Sequence, residues 1–402
     1  MNHFVIIGGS QSQVPFIKAA KKLGHNTVVF DQNSCCPGAR EGDRFYPIST
    51  HDFDSILKVC GKLKQDNSIK GIMTYSAYSK PLLATAKLCS IFQLPSFSVE
   101  SAELSTNKSK MKKRFKEYGI PSPLSFEAYS FREAKRFLSE QSPPWILKPG
   151  SGSQGSLGVS IVEDVDDLGN SFTDASDNSQ NGSVIIEKYH NGREFSVDGI
   201  VSHGQFTVLA ISEKFNLGFE GNFTISGFAM GTIPDEDHAL KKNIDFISTV
   251  ALDAVGSLGI DNSFFSVDVI LSDKGPLVLE CGILLDAKID RFLHYAGVNV
   301  YEMICRVAIG ERLEEATTKF QKGYALKFMF AQKEGKLRIV SDYNTQMSGN
   351  ILIEWERDNE DMVIKPKSIA DTVGWIITAG NDQKNAYFTA SKISEGPLFH
   401  VI

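Results

Sequence analysis

A glycine-rich stretch between two apolar runs has residue types and spacing that suggest chemistry. Residues 145–164 read WILKPGSGSQGSLGVSIVED and contain the pattern GxGxxG from Gly150 to Gly155. A dinucleotide-binding crossover needs a helix after the last glycine, but the β-branched run GVSIV follows here. A P-loop needs a lysine directly after the glycines, and this stretch has none. The pattern therefore predicts a strand, a loop and a second strand.

A hairpin loop of this composition can bring backbone N–H groups close to phosphate oxygens. Lys148 lies on the entering strand, two residues before the loop. From there its ammonium group could reach a phosphate as a compact point charge. A surface hairpin rich in glycine and serine, without any ligand, is the alternative interpretation of the same residues.

Two acidic residues stand on adjoining predicted strands further along the chain. Asp268 lies in SVDVIL and Glu280, twelve residues later, lies in LVLEC. A carboxylate among apolar residues is costly unless something pairs with it. A hard divalent cation, which prefers carboxylate oxygens, is one partner that would offset this cost. A buried salt bridge to Lys108 or Lys148 is the structural alternative.

The elements that would position these residues follow a clear order. Strands and amphipathic helices alternate over the first hundred residues, which predicts a parallel α/β sheet. The strands VIIEKY and EFSVDG, which carry Glu187 and Glu194, are expected to form a pair across a turn, and Pro234 is expected to start a long helix. The pattern is mostly β from about residue 315 to the end. We expect three domains, at 1–105, 106–314 (with a subdomain at about 122–190) and 315–402.

Composition and charge exclude several classes of protein. With 402 residues the chain is too long for one ordinary core, and its 42% hydrophobic and 22% charged residues are typical of a globular protein. The net charge of -6 argues against a nucleic-acid or membrane-surface protein. The six cysteines form no CxxC pair, which favours reduced thiols and a cytoplasmic location.

The motifs of this chain and their order resemble those of the ATP-grasp superfamily, and the resemblance covers roughly residues 1–400. The motifs are an α/β region, a lysine in NKSKMKKRFKEYGIPSP, a second lysine before a glycine loop, an acid at a hinge and two further acids. The chain is most similar to carboxylate–amine ligases such as the carboxylating and glycinamide-forming enzymes of purine synthesis, biotin carboxylase and L-amino-acid ligases. The resemblance implies a pre-ATP-grasp α/β domain, an ATP-grasp fold with a mobile lid and a small β-rich C-terminal domain.

The resemblance also implies a role for each matching residue. Asp268 and Glu280 match the pair that holds Mg²⁺ (or Mn²⁺) between the phosphates of ATP. The residues that match nucleotide contacts are Lys108 and Lys148 at the phosphates, Ser153, Gln154, Gly155 and Ser156 in the flap, Glu187, Lys188 and Tyr189 at the adenine edge, and Glu194 at the ribose. For Glu187 and Glu194 the alternative is a solvent-exposed position on a hairpin, without any ligand.

The stretch after Glu280 departs from the family pattern. Family members commonly carry an asparagine two residues after this acid and an arginine soon after that. This chain has Gly282 at the first place and Leu284 and Leu285 at the second. A usual metal ligand and a usual cation at the reacting acyl phosphate are therefore missing.

Nearby residues are candidates to replace the missing groups. Lys288 and Arg291 are expected to supply the charge, and Asp286 is expected to act as a substitute metal ligand. Lys214, in ISEKF, is a further candidate for a phosphate contact, since some family ligases have a lysine in the matching loop. A degenerate site with weak or no turnover is the alternative.

The activity that the resemblance implies is ATP-dependent C–N bond formation. A carboxylate would be activated as an acyl phosphate, with ADP as product, and an amine or another nucleophile would then displace phosphate. The implied partners are small carboxylate and amine molecules, with neither nucleic acid nor membrane, and a homodimer is compatible with the resemblance. Two alternatives stay open, a bicarbonate-activating carboxylase component and a non-catalytic ATP-binding protein.

Overall fold

The N-terminal part of the chain is a parallel α/β layer. The computed structural model describes residues 2–65, 69–152, 157–217, 223–313, 319–340, 347–348 and 350–402. Sheet A has the strand order β3-β2-β1-β4 within these ranges, with parallel neighbours. Its strands are β1 (His3–Ile7), β2 (Asn26–Phe30), β3 (Arg44–Tyr46) and β4 (Ile69–Met73), and the helices are α1 (Val14–Lys22), α2 (Pro37–Glu41), α3 (Phe53–Gln65), α4 (Ser79–Phe92), α5 (Val99–Thr106) and α6 (Lys108–Tyr118). The expected parallel α/β sheet is confirmed.

A small antiparallel sheet, sheet B, follows and carries the glycine-rich loop. Its strand order is β5-β8-β6-β7. The elements are β5 (Ser125–Ala128), α7 (Phe131–Ser139), β6 (Trp145–Pro149), β7 (Ser160–Val162), α8 (Leu168–Asp177) and β8 (Val184–Lys188). Trp145 pairs with Val162 in antiparallel register, so the strands on either side of the loop form a hairpin. This confirms the strand–loop–strand prediction.

The largest sheet, sheet C, runs from the middle of the chain to its C-terminal part. In the described residues its order is β13-β12-β9-β10-β11-β14-β19-β17-β16. The strands are β9 (Arg193–Ser202), β10 (Gln205–Asn216), β11 (Ile225–Gly231), β12 (Ser263–Ser272), β13 (Gly275–Gly282), β14 (Gly323–Phe330), β16 (Met347–Ser348), β17 (Ile351–Trp355) and β19 (Thr372–Gly380). All of its strand pairs are antiparallel.

Helices and a short sheet complete the fold. The helices are α9 (His238–Ser257), α10 (Ile289–Tyr295), α11 (Val300–Ala308) and α12 (Gln383–Ser394), and sheet D joins β15 (Gly335–Ile339), β18 (Met362–Val363) and β20 (Phe399–Val401). The C-terminal part is mostly β, as expected, but β14, β17 and β19 continue sheet C. The division into three domains stays a prediction. Among the described helices, none combines the length and the apolar character that crossing a membrane requires.

Two local expectations were wrong. The helix expected to start at Pro234 begins at His238, because the side chain of Asp237 caps it by accepting a hydrogen bond from the backbone N–H of Leu240 at 3.0 Å. The strands that carry Glu187 and Glu194 do not pair with each other. β8 pairs with β5 and β6 in sheet B, whereas β9 pairs with β10 and β12 in sheet C. The short segment between them therefore connects two sheets.

Candidate active site

A cavity of ≈ 1170 Å³ lies between sheets B and C. Its walls include Lys148 and Glu187 from sheet B and Asp268 and Glu280 from sheet C. Every site residue predicted from the sequence that lies in the described ranges contributes to the lining, and these residues are Lys108, Lys148, Glu187, Lys188, Tyr189, Glu194, Lys214, Asp268, Glu280, Asp286, Lys288 and Arg291. The predicted flap residues Ser153, Gln154, Gly155 and Ser156 lie outside the described residues.

Lys108 stands where α6 meets the glycine-rich loop. The side chain of Asn107 caps the helix by accepting from the N–H of Lys110 at 2.9 Å, and the N–H of Lys108 donates to the carbonyl of Gly150 at 3.2 Å. The Lys108 ammonium forms an ion pair with Glu280. Burial favours the neutral acid, but this ammonium, together with those of Lys148 and Lys214, outweighs it and holds the pKa of Glu280 below its ordinary value. The expected alternative of a salt bridge between these two residues is thus present in the structure.

Lys214, on β10, is held between two aspartates. Its ammonium donates to both carboxylate oxygens of Asp268 and to Oδ2 of Asp286, each at 2.8 Å. Burial alone would lower the pKa of Lys214, but the two carboxylates raise it above its ordinary value. Burial raises the pKa of Asp268 to about 7, although Lys214 opposes the change. A cation and the acids that surround it therefore share one buried corner of the cavity.

Asp198, on β9, supports this corner and was not predicted. It is fully buried, accepts a hydrogen bond from Ser196 Oγ at 2.6 Å and accepts another from the backbone N–H of Asp286 at 2.8 Å. Burial, with the nearby charge of Asp286, raises the pKa of Asp198 to about 8. Its contacts position the turn that follows β13. The signal was available, because Asp198 interrupts an apolar strand in the same way as Asp268.

A second buried cluster lies under sheet B. Glu187 pairs with Lys148 at 2.7 Å and with Lys112 at 2.8 Å, through different carboxylate oxygens. Burial would raise the pKa of Glu187, but the two ammonium groups overcome it and lower the pKa to about 2. Burial lowers the pKa of Lys112 to about 8, with Glu187 opposing. Lys112 was missed because it lies in a run of six basic residues, although it follows Lys108 by four positions on the same helical face.

Three further predicted residues lie where β8 leads into β9: Lys188 ends β8, Tyr189 follows it and Glu194 is the second residue of β9. The backbone N–H groups of Lys188 and Tyr189 donate to the carbonyls of Leu124 at 2.9 Å and Pro144 at 3.1 Å. Both N–H groups are therefore already engaged within the protein. All three residues nevertheless line the cavity at the junction of sheets B and C.

Lys288 and Arg291 come from the N-terminal end of α10. Lys288 has a left-handed backbone conformation, with φ of 62°. Its ammonium pairs with Glu356 and lies 4.4 Å from the centre of the Trp375 ring. Arg291 Nε is 3.9 Å from Asp290. Glu356 and Trp375 line the cavity from the C-terminal part of the chain, where the sequence offered no motif by which they could be found.

Asp268 and Glu280 on sheet C are suited to a metal ion that takes its remaining ligands from the phosphates of a substrate. Asp268 and Glu280 are direct partners in the antiparallel register of β12 and β13, and both face the cavity. The described residues contain no group of three or more His, Cys, Asp or Glu side chains that could hold a metal ion. Mg²⁺ is normally bound by one or two carboxylates together with substrate phosphates. Two acids at a cavity wall match this requirement.

Comparisons with known proteins point to one family. Residues 105–282 match the family model of the ATP-grasp domain. Phosphoribosylamine–glycine ligase of Helicobacter pylori strain J99 is 31% identical over 320 residues, which cover 75% of this chain and 74% of that protein. The Streptococcus suis protein of the same name is 28% identical over 194 residues, 45% of each chain, so the match spans about half of that relative.

A solved structure extends the likeness to the whole fold. The L-amino acid ligase from Bacillus licheniformis aligns with a TM-score of 0.79 at 18% identity, over 100% of this chain and 98% of that one. The similarity at this level of identity concerns the fold. Together with the matching domain model and the Helicobacter relative, it leads to one conclusion: the chain belongs to the ATP-grasp superfamily.

Proposed function

We propose that this protein is an ATP-dependent ligase that activates a carboxylate as an acyl phosphate and joins it to an amine. The observation that carries the proposal is the composition of the ≈ 1170 Å³ cavity. One wall provides Lys108 and Lys148, and the other provides Asp268 and Glu280 as a pair in register. The lysines can bind the phosphates of a nucleotide, and the carboxylate pair can bind the metal ion that accompanies these phosphates.

The nucleotide would lie between sheets B and C. Lys108, whose backbone is hydrogen-bonded to Gly150, and Lys148 would contact the phosphates. Asp268 and Glu280 would hold Mg²⁺, which supplies charge neutralisation at the phosphates. Phosphoryl transfer needs little covalent chemistry from the protein, so positioning and electrostatic stabilisation are its main contributions.

The substrate carboxylate would bind at the cavity end formed by α10. It would attack the γ-phosphate, so that the bond from the γ-phosphorus to the β,γ-bridging oxygen breaks and ADP leaves. An amine would then attack the acyl carbon and displace phosphate. The cationic side chains that could stabilise the negative charge developing in these steps are Lys214, Lys288 and Arg291, which line the cavity. Closure of sheet B over the cavity would keep water from hydrolysing the acyl phosphate.

An ADP-release screen tests this proposal. Small carboxylic acids, including amino acids, are offered singly and in pairs with amines, with ATP and Mg²⁺. We expect ADP and phosphate in equal amounts for at least one pair, and turnover that is lost in Lys214→Met but kept in the surface variant Lys113→Met. AMP and pyrophosphate as products, or no nucleotide turnover with any pair, would contradict the proposal. Turnover that requires bicarbonate would identify the carboxylase alternative.

A further inference from the structure

The proposed mechanism leaves one buried cation without a role. The Lys112 side chain is 5% exposed, and Lys112 is absent from the described residues that line the cavity. Lysines are rarely buried to this extent unless they are paired. Its partner, Glu187, does line the cavity and also holds Lys148.

The charges in this cluster do not cancel. Two ammonium groups share a single carboxylate, which leaves one excess positive charge among Lys112, Lys148 and Glu187. The three side chains are only 5%, 11% and 4% exposed. Water and salt screen buried charges weakly. An excess charge at such a place is costly in the free protein and attracts an anion at the adjoining cavity wall.

We propose that Lys112 is a positioning residue that engages one oxygen of Glu187 so that the charge of Lys148 stays available to a nucleotide phosphate. Without Lys112, Glu187 and Lys148 would form a neutral pair, and the wall would lose its attraction for the anion. This inference rests on the proposed function, because it takes the phosphates of ATP as the anion. Lys112 itself touches neither nucleotide nor substrate.

The surroundings of Lys112 contain few other groups that could change its charge. It faces Glu187 on β8, Lys148 on β6, and Glu280 and the carbonyl of Val278 on β13, with the ring of Phe115 on its own helix. Since burial lowers the pKa of Lys112 to about 8, a rise in pH through this value removes the excess charge. Phosphate affinity should then fall, as it does when Lys112 is replaced.

Calorimetric titration with two probes, ATP–Mg²⁺ and adenosine, tests the inference. Lys112→Met should weaken ATP binding by about tenfold, a Coulomb effect of one nearby charge, and leave adenosine binding unchanged. The double variant Lys112→Met/Glu187→Gln has the same net charge as the original cluster and should recover most of the lost affinity. Lys113→Met removes an exposed charge from the same helix and should bind both probes normally.

Each result bears on the inference. Equal ATP affinity in Lys112→Met and the unchanged protein would overturn it, and so would an equal loss for ATP and adenosine, which indicates a merely structural role. If Lys112→Met does not fold, Lys112→Arg decides, because the pKa of Asp198 is also raised to about 8 and the unchanged protein alone does not separate the two groups. Since a guanidinium stays charged, ATP affinity should fall less in Lys112→Arg than in the unchanged protein as the pH rises through about 8, while adenosine affinity holds in both. An equal fall in the two proteins overturns the inference. Failure of the unchanged protein to bind ATP would overturn the proposed function as well.

Discussion

Lysine ammonium groups occupy both carboxylates that are expected to hold the metal ion. Lys108 pairs with Glu280, and Lys214 pairs with Asp268. Each pair avoids the cost of an unpaired acid in a largely apolar wall. Binding of a nucleotide with its cation would require these ammonium groups to turn from the acids to the phosphates. The same four side chains can therefore serve the free and the liganded protein by exchanging partners.

Replacement of Glu280 by Gln separates the metal role from the structural one. The Glu280 side chain is 39% exposed and that of its partner Lys108 is 17% exposed, so water screens this pair in part and it contributes at most about 1 kcal/mol. We therefore expect the melting temperature without nucleotide to stay nearly unchanged. The extra stabilisation that Mg²⁺ adds to ATP should disappear, because a carboxylate ligand is lost. Thermal melts with ATP, with and without Mg²⁺, measure this, with Glu103→Gln as the exposed control. An undiminished Mg²⁺ effect would refute the metal assignment.

Three of the residues predicted from the sequence share one property with a physical cause. Lys148, Asp268 and Glu280 each interrupt an apolar strand. Because burial of a charge is costly unless the charge is paired, such a residue indicates a partner or a ligand. The structure gathers them at one cavity, and their individual roles stay predictions. Lys112 was hidden in a basic run, since a solvated helix face has the same composition. Asp198 carried the same signal as Asp268 and was overlooked.

At the scale of elements, the local sequence pattern predicted where strands lie better than it predicted which strands pair with each other. The segment between β8 and β9 is short enough for a hairpin turn, yet the two strands belong to different sheets. Strand pairing depends on contacts distant in sequence, which alternation of apolar residues does not encode. The hairpin of β6 and β7 was predicted correctly because its partners are neighbours along the chain and a helix was excluded by the β-branched run.

The edge strand β7 gives an element-scale test of nucleotide binding. β7 has three residues and lies at the edge of sheet B, where β6 is its one partner among the described strands. Such a strand opens easily. If the glycine-rich loop beside it contacts phosphates, ATP–Mg²⁺ should slow hydrogen exchange of the β7 amides severalfold. The amides of β1, which lies inside sheet A, serve as the control. Exchange in β7 that is the same with and without nucleotide would argue against a phosphate-binding loop.

At the scale of the whole molecule, the C-terminal part belongs to the central core. Leu326 and Phe328 on β14 and Ile377 on β19 pack in one hydrophobic cluster with Phe228 and Met230 on β11. The β-rich composition of this part was predicted from the sequence, but its continuity with sheet C was not, because β11 and β14 are joined by long-range pairing. The cavity wall formed by Trp375 depends on the same continuity.

A chain that ends at Leu313 should therefore fail to fold cooperatively. The truncation removes β14, the neighbour of β11, together with Leu326, Phe328 and Ile377 from the core. Burial of each such side chain contributes roughly 1.5–3 kcal/mol, and their sum approaches the roughly 5–15 kcal/mol stability of a typical protein. A chain ending at Glu395, which lacks β20 of sheet D, should keep a cooperative transition. Circular dichroism melts compare the two with the full chain. A sharp transition at the same temperature in the shorter fragment would show that residues 315–402 fold as a dispensable addition to the central sheet.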